Sequence, residues 1–165
     1  MADVSNSKLL EINTGILPKD ACVVIVRTEW NSSIVDELEK GCIETLRAHT
    51  ATPPEVLVVP GSFEAPFAVM QHWKKSKQKP DAYIVLGCVI RGGTPHFEYV
   101  SQAITDGVLK LNLELPVPSI FGVLTVDNVL QAMERTGGEH GHKGKEAAIT
   151  ALKMIALNRS LEAEV

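Results

Sequence analysis

Aromatic side chains are scarce in this 165-residue chain: two Trp, two Tyr and four Phe amount to 5%. A core of this size is therefore left to Val, Ile, Leu and Ala. Cysteine is scarce as well. Cys22, Cys42 and Cys88 are odd in number, lie far apart and form no C-x-x-C pair. Each stands in or beside an apolar stretch, which argues for reduced thiols in a cytoplasmic chain and against a disulfide framework. Positive charge is not in excess either. Sixteen Lys and Arg against twenty Asp and Glu leave a formal net charge of -4. That balance lacks the basic footprint which nucleic acid or an anionic membrane surface requires. No apolar run approaches the roughly 18 residues that span a bilayer. The segment Met1 to Asn6 is polar, without the charged-then-apolar order of a secretory signal. Low-complexity tracts and internal linkers are also missing.

What remains is apolar for a chain of its length. Hydrophobic residues make up 45% and the mean hydropathy is +0.08. The length suits one domain of the usual roughly 100–200 residues. Such a chain buries about 70% of its unfolded surface and needs no disulfide or metal to hold a core. The apolar balance points to surface covered by other subunits.

An arm, residues 1–20, leads into a single domain over 21–165, with Gly15 and Pro18 breaking any pattern in the arm. Ala21 to Arg27 is a continuous apolar run, as a parallel strand covered on both faces requires. Asn31, Ser32 and Ser33 are N-cap candidates for a helix carrying Ile34, Val35, Leu38, Ile43 and Leu46 at helical spacing. Beyond Pro53 and Pro54, Glu55 to Val59 reads as a second buried strand. A turn at Pro60 to Ser62 opens a helix to about Ser76, with Phe63, Phe67, Met70 and Trp73 on one stripe. Lys74, Lys75, Lys77 and Lys79 form a solvated C-terminal end that complements the helix dipole.

The unit then repeats. Asp81 to Ile90 is a third strand, Arg91 to Pro95 a loop, and His96 opens a helix to about Leu111. Ser119 to Thr125 is a fourth strand, and Asp127 or Asn128 caps a helix to Arg135. Gly137 to His142 is a loop before a last helix over about 144–158. Strands alternating with helices predict a three-layer α/β/α sandwich on a four-stranded parallel sheet.

Ligands of open parallel sheets bind outside the carboxyl ends of the strands. That rule selects Thr28 to Asn31, Pro60 to Glu64, Arg91 to His96, and Thr125 to Asp127. In Arg91-Gly-Gly-Thr-Pro-His96, two glycines and a hydroxyl at a helix start suit an anion bound by backbone amides. The stretch lacks the lysine and spacing of a P-loop, and a tight turn that merely needs glycine reads equally from the same residues. His96, beside such an anion, is placed to move protons near pH 7, or else is a capping histidine. Trp30 offers a stacking surface for a flat ring or covers the sheet edge. Glu64 either suits the helix dipole or accepts hydrogen bonds from ligand hydroxyls. Arg135 and Lys143 flank the Gly/His loop. His140 and His142 lack the cysteines or carboxylates that would complete a metal site.

Five segments carry a resemblance. They are Val59 to Glu64, Leu86 to Val100 (LGCVIRGGTPHFEYV), Pro118 to Thr125, Gln131 to Arg135, and His142 to Gly144. In order and spacing, from about residue 20 to 160, the chain resembles the lumazine synthases of riboflavin biosynthesis. That resemblance implies a flavodoxin-like fold without metal or organic cofactor. It also implies condensation of 5-amino-6-(D-ribitylamino)uracil with 3,4-dihydroxy-2-butanone 4-phosphate to 6,7-dimethyl-8-ribityllumazine, phosphate and water. By the same resemblance Trp30 stacks on the pyrimidine, and Ser62, Phe63 and Glu64 hold the ribityl chain. Cys88, Val89 and Ile90 present backbone groups to the ring edge. Gly93, Thr94 and Arg135 bind the phosphate, and His96 is the proton donor and acceptor. Phe121, Arg135 and Lys143 are similar to residues the family supplies from a neighbouring subunit of a pentamer, and some members build 60-subunit capsids. Trp30 stands where Phe is frequent, Ser62 and Gly93 where Ala is, Pro95 where Thr is, and His142 where Asn is. A different class of function is a riboflavin- or FMN-binding module, or a shell protein, without catalysis; His96 is the residue that storage does not need.

Overall fold

The computed structural model describes residues 8–11 and 17–163. The rest of the expected arm, Gly15 included, lies outside the described residues. The chain runs β1 (Val23–Thr28), α1 (Ser32–His49), β2 (Glu55–Val59), a 3-10 turn over Ser62–Glu64, and α2 (Ala65–Lys75). It continues through β3 (Ala82–Ile90), α3 (His96–Glu114), β4 (Ser119–Val126), α4 (Val129–Met133), the short strands β5 (Thr136–Gly138) and β6 (Gly141–His142), and α5 (Lys143–Ala163). The main sheet is four-stranded and parallel, in the order β2-β1-β3-β4. With helices on both faces it is a three-layer, flavodoxin-like α/β/α fold.

The β-branched runs explain the strands. Alternate residues of a strand face opposite layers. Ile25 and Ile84 therefore pack with Leu38, Leu46, Leu152 and Ile155 of α1 and α5. Val24, Val26 and Val85 pack with Ile104, Val108 and Leu111 of α3 on the other side. Each such side chain contributes about 1.5–3 kcal/mol on burial. Tyr83 is the fully buried ring, and its hydroxyl lies 2.7 Å from Nδ1 of His72. Helices α1 and α5 approach closely because Gly144 has no side chain; a Cβ there would run into the Leu38 carbonyl.

Several details differ from the sequence expectation, among them α5, which runs five residues past Asn158 to Ala163, and α4, which stops at Met133. β2 is an edge strand, half-covered rather than buried, because only β1 flanks it. The α2 stripe splits: Met70 and Trp73 pack against the core, whereas Phe63 and Phe67 stay exposed. α3 runs one turn beyond Leu111, to Glu114. Residues 137–142 are part of a small antiparallel hairpin rather than a loop, with Gly137 at φ 118° and Gly141 at φ 77°. Those angles lie where side chains are strained, so glycine is required there.

The order of the strands positions the site. From β1 the chain moves to one side, to β2; it then crosses over to β3 on the other side of β1. The carboxyl ends of β1 and β3 thus flank the point where the winding reverses, the usual location of a ligand crevice.

Candidate active site

A cleft of about 550 Å³ opens at that point. Trp30, Asn31, Ser62, Phe63, Glu64, Cys88, Val89, Ile90 and His96 line it, with Gly61 and Val100. The structure thereby gathers eight residues singled out from the sequence, drawn from three separate strand-to-helix connections.

Short backbone contacts hold the walls. Glu29 N–H donates to the Val59 carbonyl at 2.9 Å and Trp30 N–H to the Pro60 carbonyl at 3.2 Å. The segment after β1 therefore lies along the end of β2, and the Trp30 ring is left 73% exposed over the cleft. Gly61 makes room for it: a Cβ there would lie 3.0 Å from Glu64 Oε2 and 3.5 Å from Trp30 Cδ1. Ser62 is buried at the base, its hydroxyl beside Gly87.

Strand β3 outlasts β1. Its pairing with β1 ends at Leu86, whereas its pairing with β4 continues to Ile90. The amide and carbonyl of one strand residue share an edge, and successive residues alternate. Arg91 N–H donates to the Val126 carbonyl at 2.9 Å. Val89, two residues back, therefore turns its backbone groups to β4, and Cys88 and Ile90 turn theirs to the cleft. The Cys88 thiol is buried, and burial pushes it up to about 11, so it is a neutral thiol at ordinary pH.

His96 is the first residue of α3 and is exposed at the cleft mouth. The preceding loop is clamped by Arg91. Its Nε donates to Asp127 Oδ1 at 2.9 Å, its Nη1 pairs with Glu98, and the guanidinium sits 4.2 Å from the Phe97 ring centroid. Gly93 lies in that loop with nothing within 4 Å of where a Cβ would be, and the neighbouring Thr94 is exposed.

Five expected residues stand outside this lining: Gly93 and Thr94 in the loop before α3, and the three that the resemblance takes from a neighbouring subunit. Phe121 and Lys143 line a separate groove of about 440 Å³ between β4 and α5. Lys143 is buried, its ammonium 2.9 and 2.7 Å from the two carboxylate oxygens of Glu146. Arg135 lines neither; its Nη1 donates to the Gln131 carbonyl at 2.7 Å.

Residues 20–159 match the 6,7-dimethyl-8-ribityllumazine synthase family. The chain belongs to that family. It is an enzyme of riboflavin biosynthesis that forms the lumazine. A 6,7-dimethyl-8-ribityllumazine synthase of Porphyromonas gingivalis is 48% identical over 143 residues, 86% of this chain and 88% of that one. One from Cytophaga hutchinsonii is 44% identical over 156 residues, 92% and 97% of the two chains. One from Parabacteroides distasonis is 47% identical over 133 residues, 79% and 82%.

Sequence reasoning missed Asn31, which lines the cleft, and Glu146, which holds the Lys143 ammonium. Asn31 precedes a helix and so reads as a cap; nothing local signals that its side chain bonds elsewhere. Glu146 stands three residues after Lys143, a spacing that places both on one helix face. Among the described residues no helix is long and apolar enough to cross a membrane.

Proposed function

We propose that the cleft binds 5-amino-6-(D-ribitylamino)uracil, with its ring on Trp30 and its ribityl chain along Ser62, Phe63 and Glu64. The observation that carries this reading is the convergence of a stacking ring, a carboxylate, free strand-edge backbone and an imidazole in one 550 Å³ cleft. A flat heterocycle needs the first and third, and a polyol the second. The butanone phosphate binds at Gly93 and Thr94, where exposed backbone amides meet the start of α3.

His96 then moves the protons. The pyrimidine amine adds to the ketone, and the carbinol oxygen must gain a proton to leave as water. A proton must leave carbon as phosphate departs, and a second carbonyl must lose its oxygen as water when the ring closes. One imidazole that alternates between donor and acceptor serves each step. Holding both reactants in register supplies much of the remaining acceleration.

Phe121, Arg135 and Lys143 complete the site from a neighbouring subunit of a pentamer. Their distance from the cleft within one chain supports this, as does the exposure of Leu109, Leu113, Leu130 and Met133. Arg135 offers a bidentate fork to the phosphate. Assay of the purified protein with both substrates tests the reaction, and no lumazine would refute it. Mixing His96→Ala with Arg135→Ala tests the sharing. About a quarter of wild-type activity returns if His96 and Arg135 of different chains meet, since half the chains and half their neighbours are intact. None returns if each site is built from one chain.

A further inference from the structure

Asn31 is the sole non-glycine with positive φ among the described residues, at φ 57° and ψ 42°. It stands at the N-cap of α1, yet its side chain caps nothing there. The helix start is served instead by its backbone carbonyl, which accepts from Ile34 N–H at 3.0 Å and Val35 N–H at 3.1 Å. An asparagine that gives up its usual cap and takes a left-handed backbone is held there by something else. The holder is the carbonyl of Cys88, 57 residues away, which accepts from Asn31 Nδ2 at 2.8 Å. A carbonyl only accepts, so the amide nitrogen must face it and the amide oxygen faces away.

This bond sits where β1 has already ended. Over Cys88 the Asn31 amide stands in for the missing strand neighbour; over Ile90 no strand borders the cleft edge of β3. The Trp30 backbone is fixed beside it, its N–H on Pro60 and its carbonyl 3.4 Å from the Thr28 hydroxyl. One residue thus ties the stacking ring to the strand edge that faces it.

We infer that Asn31 is a positioning residue for the pyrimidine. Its amide occupies the Cys88 carbonyl and leaves the Ile90 N–H and C=O as the donor–acceptor pair that reads the ring edge, while its left-handed backbone sets Trp30 above that pair. The inference rests on the reading that the pyrimidine lies in this cleft.

Asn31→Gly keeps the backbone angle and deletes the amide; Asn31→Asp keeps the shape and sets an acceptor against the carbonyl. The readouts are separate KM values for the two substrates, kcat, and quenching of tryptophan fluorescence by the lumazine product. Losing one oriented hydrogen bond should raise the KM for the pyrimidine about tenfold in Asn31→Gly. The KM for the butanone phosphate should stay within about twofold, and lumazine quenching should weaken in parallel with the pyrimidine effect. Asn31→Asp should weaken the pyrimidine at least as much. Equal changes in both KM values, or none, would overturn the assignment. Wild-type protein that makes no lumazine would instead overturn the reading on which it rests.

Discussion

The Ser62 hydroxyl and Gly87 are in contact through the base of the cleft: a Cβ on Gly87 would lie 2.9 Å from Ser62 Oγ, and 3.2 Å from Thr28 Cγ2. Gly87 is in the middle of a buried strand, where glycine is ordinarily a weakness. Here its missing side chain is the space that lets the turn after β2 descend onto β3. Gly87→Ala should push Ser62 and the residues after it outward. Overpacking of this kind costs about 1–3 kcal/mol of stability. Thermal melts and pyrimidine KM should therefore both move, and an unchanged KM would separate Ser62 from the ribityl chain.

His96→Ala should leave the cleft walls intact, because the residue is exposed and at a helix start. A positioned general acid–base typically contributes about 10²–10⁴-fold. Turnover should fall by that order while binding of the lumazine product, read by fluorescence titration, changes little. Retained turnover would remove His96 from the chemistry.

Cys88 lies in the cleft, but with its thiol pushed up to about 11 by burial it should resist alkylation. At pH 8 only about a thousandth of it is thiolate, a fraction that grows about tenfold per pH unit. Site-resolved mass spectrometry after iodoacetamide treatment should show that trend, and rapid labelling at pH 7 would contradict it.

The hairpin carries a histidine whose folding is pH-linked. The His142 ring packs against Gly41 of α1, and its Nδ1 is buried without a partner. Burial, then the nearby Lys145 charge, lower it from the ordinary 6.5, against weaker opposite pulls from Glu37 and Glu44. Below 6.5 the unfolded chain takes up a proton that the folded ring resists. Stability should therefore fall as the pH drops through 6.5 toward the lowered value, and be fully present above it. Melting temperatures of His142→Asn should lose part of this acid-side slope; an identical slope would place its origin elsewhere.

The alternation of strands and helices was legible because burial on both faces demands continuous apolar runs such as Val23 to Val26 and Ile84 to Leu86. The family was legible because its motif follows two strands as unbroken local text, from Val59 to Glu64 and from Leu86 to Val100. Those features are local in the chain, so local pattern carries them. Other features depend on residues far apart in sequence. That β2 lies at an edge follows from the crossover that sets β3 on the far side of β1. Asn31 looked like a helix cap, and its amide went to a carbonyl 57 residues away. The resemblance takes Phe121 and Lys143 from a neighbouring subunit, and only the packed sheet shows that within one chain they line a groove apart from His96. Composition and periodicity report what a segment buries. Which segment it meets is settled when the whole chain packs, because side-chain bonds across strands have no trace in local spacing.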